Sequence, residues 1–263
     1  MKPDYKNWVP KGMVRGTLAG AAGCLALAAV CGTGGFIHNQ ILHHAVTGVL
    51  LTAGVGAGVA ALWLEKLHRA FDYNGTRQLS RQIIDGISSR VVIPDGGLGL
   101  DVGCGSGALT IACAKKNPGA EMIGIDRWGK EYASFNKPLC ENNARAEGVT
   151  NVSFRQGNAL KLDFPDETFD LVTSNYVYHN IPSKDRQAIL LETLRTLKKG
   201  GVFAIHDIFS RSKYGDMQTF LQLLKNAGYE EAELIDTSSG LFMTKKEGTL
   251  LGLAGSALLI GKK

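Results

Sequence analysis

The sequence predicts an α/β chain: a doubly wound, mostly parallel, seven-stranded sheet with a terminal antiparallel hairpin, preceded by two transmembrane helices. Three observations carry this expectation. From Gly16 to Leu64 there is no Asp, Glu, Lys or Arg, and two apolar runs fill the gap. Beyond about residue 95, short apolar runs alternate with amphipathic stretches of helical length, the signature of β-α-β units. The last two strand-like runs have no good helix between them.

The apolar runs cover roughly Gly16–Ile37 and Ala45–Leu64. As helices at about 1.5 Å per residue, each is long enough to cross a hydrocarbon core of ~30 Å. Lys2, Lys6, Lys11 and Arg15 precede the first run, and Lys66, Arg69, Arg77 and Arg81 follow the second. The loop between them, His38–His44, carries no fixed charge. Basic flanks on both sides of an uncharged loop place both ends in the cytoplasm and the loop outside. Trp8 and Trp63 sit where interfacial aromatic anchors belong. Gly16/Gly20 and Gly54/Gly58 have the spacing that lets membrane helices approach closely, so a homo-oligomer through these helices is one expectation. Two other readings are a signal peptide, which leaves the second run without a role, and a buried hairpin of a soluble protein, since Ala and Gly make both runs only mildly hydrophobic. Residues 1–64 are thus the expected anchor, and 65–94 a linker with an amphipathic helix broken at Asp72-Tyr73-Asn74-Gly75, a turn signal.

The α/β domain is expected over 95–263. Strands are read at Leu98–Val102, Glu121–Ile125, Asn151–Arg155, Phe169–Ser174 and Gly201–His206, with Ala232–Asp236 and Ser256–Gly261 as the terminal hairpin. Helices are read at Ala108–Lys116, Lys130–Glu147, Asp185–Leu197 and Met217–Ala227.

The most informative segment is Asp101-Val102-Gly103-Cys104-Gly105-Ser106-Gly107-Ala108. It follows a strand and opens a helix, where ligands bind in such sheets. Gly103, Gly105 and Gly107 permit positive φ and a close approach of ligand to backbone. Gly103, Gly105 and Ala108 also satisfy the dinucleotide pattern, and Asp126 ends the next strand where an acid holds ribose hydroxyls in either kind of cofactor. Asp101 discriminates. A carboxylate there opposes a pyrophosphate on the helix N-terminus and suits a ligand bearing an ammonium and a sulfonium. S-adenosyl-L-methionine carries both groups.

Asp101–Gly107 resembles the first motif of class I S-adenosylmethionine-dependent methyltransferases of the small-molecule kind, and the likeness runs from about Asp72 to the C-terminus. Gly124-Ile125-Asp126 resembles the second motif, whose acid binds ribose. Gln156-Gly157-Asn158-Ala159 resembles the third, with Asn158 in place of the usual Asp that meets the adenine amino group. Phe169–Asn175 resembles the fourth strand, which brings Asn175 to the cofactor side. Leu197-Lys198-Lys199-Gly200-Gly201 resembles the turn before the fifth strand, with Lys199 where Pro is usual. The resemblance implies a Rossmann-like fold, S-adenosyl-L-methionine as methyl donor, and a segment before the first motif that closes as a lid, a role for Tyr73. Trp128 is placed to cover the adenine.

A general base is needed only if the methyl acceptor must lose a proton. Residues just past strands four and five are the positions to consider: Tyr176, Tyr178 and His179 after the fourth, His206 and Asp207 at the end of the fifth, with Tyr176, His179 and His206 taken as the candidates. The segment Ser174-Asn175-Tyr176-Val177 lacks the Asn-Pro-Pro-Tyr pattern of many amino-methylating enzymes. This favours a small-molecule acceptor, and the anchor favours a lipophilic one and makes membrane lipid a second partner. With a net charge of +5, the scattered Lys and Arg form no basic stripe with interleaved aromatics, so no nucleic acid is expected. The five cysteines form no CxxC pair and no zinc spacing, so no metal is expected. The competing functions are an NAD(P)-dependent oxidoreductase, opposed by Asp101, and a non-catalytic cofactor-binding assembly module.

Overall fold

The computed structural model describes residues 2–34, 37–129 and 134–263. Two compact units make up the chain: Asn7–Gln78, and the segment up to Lys6 together with Leu79–Lys263. These divisions fall elsewhere than the sequence suggests. Residues 65–71 continue the second apolar helix instead of starting a new one, because no breaker occurs before the turn at Asp72. Residues 4 and 5 join the α/β unit through specific hydrogen bonds described below.

In the first unit, α1 spans Lys11–Thr33 and α2 spans Gln40–Phe71. At 1.5 Å per residue they are about 35 and 48 Å long. Pro10 precedes α1, and charged Lys11 and Arg15 lie within it, so the helix begins earlier than the apolar run. Asn39 caps α2, its side chain accepting the Leu42 N–H. The helices pack against each other, and Gly54 lies where a Cβ would come 2.7 Å from the Leu25 side chain. No such contact meets Gly16, Gly20 or Gly58. The base of the unit is tied by His68, whose Nδ1 lies 2.8 Å from the Val9 carbonyl, and by the Asn7 amide on the His68 carbonyl. The most apolar stretch of each helix is only 11% buried. Ile41, Val49 and Leu62 stand exposed. Both helices are long and apolar enough to cross a membrane.

The second unit opens with α3 (Leu79–Ser88) and continues β1 (Leu98–Val102), α4 (Ala108–Lys116), β2 (Glu121–Asp126), α5 (Lys137–Ala146), β3 (Val152–Gln156) and β4 (Phe169–Asn175). Then follow α6 (Arg186–Arg195), β5 (Leu197–Ile208), α7 (Arg211–Tyr214), α8 (Met217–Asn226), β6 (Glu231–Asp236), α9 (Lys245–Leu250) and β7 (Ser256–Lys262). The helix expected from Lys130 begins at Lys137, because Asn136 caps it by accepting the Leu139 N–H and Pro138 fits only its first turn. Residues 130–133 lie outside the described residues. The short α9, between the last two strands, is an element the sequence reading lacks.

The sheet order is β3-β2-β1-β4-β5-β7-β6. β1 to β5 are parallel, and β7 runs antiparallel to both β5 and β6. The order reverses between β1 and β4, which creates the crevice at their carboxyl ends where such sheets bind ligands. Alternation along the strands sorts side chains between faces. Leu100 and Val102 of β1 and Phe203 and Ile205 of β5 join α6 and α8 in one core. Asp101 faces the other way, toward α4.

Candidate active site

The loop after β1 shows three glycines at positive φ for different reasons: Gly103 at 76°, Gly105 at 55° and Gly107 at 82°. A Cβ on Gly103 would strike Val177, which follows β4, at 2.3 Å. One on Gly107 would press on Phe154 and Cys140 at 3.0 and 3.3 Å. One on Gly105 would meet nothing within 4 Å. The outer two glycines thus let the protein close on itself, while the middle one borders open space. That open cradle is the observation that fits a ligand lying along the loop.

Asp126 ends β2 beside the loop. Its Oδ2 accepts the Gly105 N–H at 2.9 Å and its Oδ1 accepts the Trp128 N–H at 2.7 Å. Trp128 sits at φ 44°, and its indole N–H donates to the Gly105 carbonyl at 3.0 Å. The Cys140 thiol donates to the same carbonyl at 3.2 Å. Asp126, Trp128 and the loop therefore form one connected cluster. Each Asp126 oxygen keeps a lone pair beyond the one it uses, so a ribose hydroxyl still has an acceptor.

Asp101 lies beneath this layer and is 1% exposed. Its two oxygens accept from Thr110 at 2.6 Å and Thr173 at 3.1 Å. Burial raises its pKa to about 6 against the opposing help of these hydroxyls. Near neutral pH it remains mostly ionised, and its charge acts on the loop through a poorly screening layer. The two threonines are partners that no motif pointed to.

The N-terminal segment also reaches the loop. Asn143 of α5 accepts the Asp4 N–H at 2.7 Å and donates to the carbonyls of Asp4 and Ser106. The Ser106 hydroxyl donates to the Tyr5 carbonyl at 3.2 Å. Nothing in the pattern of residues 2–6 announces this strap, because its bonds to Asn143 and Ser106 use backbone groups of Asp4 and Tyr5.

Asn158 is exposed after β3. Its Oδ1 accepts the Leu160 N–H in a local turn, which leaves its other lone pair for an adenine amino group. Tyr73 lies in the turn after α2 and belongs to the other unit.

The three candidate bases separate clearly. His206 on β5 is fully buried. Its Nδ1 donates to Asn175 Oδ1 and its Nε2 accepts from Thr237, each at 2.8 Å. Burial holds its pKa down to about 3. With both ring nitrogens committed, His206 cannot take a substrate proton, and it serves to fix Asn175. Tyr176, at φ 56°, is largely buried, with its hydroxyl 2.8 Å from that of Ser256. Burial pushes its ionisation well above the ordinary tyrosine range, and its hydroxyl is spent on Ser256. Its ring centroid lies 4.6 Å from that of His206 and 6.0 Å from that of His179.

His179 differs. It lies in a single 3₁₀ turn, Tyr178–Asn180, held by the Tyr178 hydroxyl against that of Thr193. Its Nδ1 is 2.5 Å from Oδ1 of Asp207, and its own N–H donates to Oδ2 of the same carboxylate at 3.2 Å. Asp207, the residue after His206, is fully buried and also accepts the Ile208 N–H. Strand alternation alone sends His206 and Asp207 to opposite faces of β5. The sequence places Asp207 at the end of the fifth strand among the candidate positions but gives no hint that it pairs with His179.

A doubly wound sheet of this order, with a glycine cradle at its switch point and an acid ending the next strand, is the frame of class I S-adenosylmethionine-dependent methyltransferases. The chain belongs to the methyltransferase-domain family, whose profile matches residues 95–251. An uncharacterised methyltransferase of Schizosaccharomyces pombe is 38% identical over 103 residues, covering 39% of this chain and 36% of that protein. A demethylmenaquinone methyltransferase of Geobacillus stearothermophilus is 30% identical over 135 residues, covering 51% of this chain and 55% of that protein. The chain thus spans from about a third to about half of the length of these two relatives. Among solved structures, the [4+2]-cyclase SpnF aligns with a TM-score of 0.54 at 20% identity, over 73% of this chain and 85% of that one. This last likeness speaks for the fold alone.

Proposed function

We propose that the protein transfers a methyl group from S-adenosyl-L-methionine to a small lipophilic acceptor at a membrane. The observation that carries the reading is the Gly105 cradle, open where Gly103 and Gly107 are closed, with Asp126 beside it. The cofactor supplies an activated methyl group; the chain supplies binding, alignment and a dry pocket. Gly103, Gly105 and Gly107 would receive the amino-acid portion, Asp126 the ribose, and Trp128 and Asn158 the adenine. Asn175, oriented by His206, would border the methyl-bearing end, with the Asp101 charge complementing the cation from below. Tyr73 is assigned to the lid. The lipophilic acceptor rests on the exposed apolar surface of α1 and α2 and on the quinone-related name of the Geobacillus relative. In this reading the hairpin anchors the chain with both flanks cytoplasmic, and the open glycines of α1 are where copies would associate.

The test is calorimetry of the detergent-solubilised chain with S-adenosylhomocysteine and with NADH, followed by turnover with labelled S-adenosyl-L-methionine. Binding of S-adenosylhomocysteine with methyl release to acceptors is the expected result. Tighter binding of NADH would favour hydride chemistry, and cofactor binding without turnover on any acceptor would make this an assembly module.

A further inference from the structure

Past β4, one side chain is built like a base, with one ring nitrogen bonded and the other without a partner among the described residues. The Asp207 carboxylate can only accept, so the 2.5 Å contact puts the proton of a neutral His179 on Nδ1 and a lone pair on Nε2. Asp207 is fully buried and holds the imidazole by two bonds, one to the ring and one to the backbone N–H. Nε2 has no hydrogen-bond partner among the described residues, and the side chain is 14% exposed. The Lys213 ammonium donates to the His179 carbonyl at 3.3 Å, which fixes the same turn from the other side. The pair sits at the carboxyl ends of β4 and β5, next to the Tyr176 ring. A histidine kept only for packing would bury or bond both nitrogens, as His206 does.

Resting on the methyltransferase reading, we propose that His179 is the proton acceptor of the reaction, that Asp207 is its positioning residue, and that the methyl acceptor is a phenolic or hydroquinol hydroxyl. An amine attacks with its free lone pair and sheds its proton afterwards, and a thiol is already partly ionised near neutral pH. A phenol, with an ordinary pKa of about 10, is a weak nucleophile until its proton is removed. In the step, the hydroxyl proton passes to Nε2 of His179 as the oxygen bonds to the methyl carbon. The carbon–sulfur bond breaks and its electron pair stays on sulfur. The products are a methyl ether, neutral S-adenosylhomocysteine and a His179 imidazolium paired with Asp207, which returns its proton to water.

Three probes of equal shape test this with the full chain in detergent: 2-naphthol, 2-naphthylamine and 2-naphthalenethiol. The expected result is methylation of 2-naphthol in preference to the other two. His179→Ala should lower kcat on 2-naphthol about 100-fold, with S-adenosylhomocysteine affinity within about twofold of wild type and partial rescue by imidazole. His179→Gln, which keeps the side chain's bulk, guards against misfolding. Asp207→Asn should lower kcat while leaving KM for 2-naphthol unchanged, and ¹⁵N spectra should show the His179 proton no longer confined to Nδ1. Unchanged kcat in both His179 variants, preference for the amine or thiol, or no methylation of 2-naphthol would overturn the proposal. Failure of wild type to bind S-adenosylhomocysteine would instead bring down the methyltransferase reading beneath it.

Discussion

The indole of Trp128 donates its N–H to the carbonyl of Gly105 at 3.0 Å. The backbone amides of the same two residues are joined through the Asp126 carboxylate. A ligand on the loop must therefore meet Trp128 and Asp126 together.

Binding of S-adenosylhomocysteine should alter tryptophan fluorescence, and Trp128→Phe should abolish the change while Trp8 and Trp63 continue to emit. Asp126→Ala should weaken S-adenosylhomocysteine by ~1–3 kcal/mol, since ribose loses a charged acceptor and the loop loses its brace. Calorimetry reads the affinity, and an unaltered value would remove Asp126 from the ribose.

Gly105→Val should leave a folded domain that no longer binds cofactor. The added side chain meets no protein atom, so the fold loses only about 1–2 kcal/mol for a branched residue at positive φ. The ligand's space is taken. Circular dichroism and calorimetry on one preparation check both halves, and retained binding in a folded variant would mean the open space serves no ligand.

Two buried groups make opposite contributions to acid stability. His206 is held near pKa 3 in the folded chain, against about 6.5 unfolded. Below pH 6.5 the unfolded state takes up a proton that the folded state refuses, so stability falls by about 1.4 kcal/mol per pH unit from this site. Asp101, raised to about 6, binds its proton earlier in the folded chain than the ~3.8 of the unfolded one. Between pH 6 and 4 it adds stability as pH falls. Thermal melts from pH 7 to 5 should thus decline less in His206→Gln than in wild type, and more steeply in Asp101→Asn. Parallel curves for all three would mean that neither group titrates as its burial dictates.

Single cysteines report topology in a chain lacking the native five. His38 and Ser89 are the sites to use, since both are exposed, whereas Asn39 caps α2 and Ser88 is buried in α3. An impermeant thiol reagent on intact cells should label position 38 and spare position 89. Labelling at 89 would reverse the orientation, and release of the chain by alkaline carbonate would end the membrane reading.

The seven strands, the glycine loop and the terminal hairpin were legible along the chain because each rests on local pattern: alternation, periodicity and residues suited to positive φ. So were the two apolar helices, though their ends were not, since Lys11, Arg15 and residues 65–71 continue a helix as readily as apolar ones. What the linear pattern left open was which of several polar residues past β4 and β5 faces a substrate. Tyr176, His179 and His206 look equivalent there. Pairing of β5 with β4 and β7 closes Asn175 and Thr237 around His206 and Ser256 onto Tyr176, while the turn after β4 carries His179 over Asp207. The Thr110 and Thr173 bonds to Asp101 and the strap on Asn143 likewise join residues far apart in sequence. Local chemistry determined the elements and the glycine loop. Only the packed sheet decided that, of these three, His206 and Tyr176 spend their hydrogen bonds on the protein while His179 keeps Nε2 without a partner among the described residues.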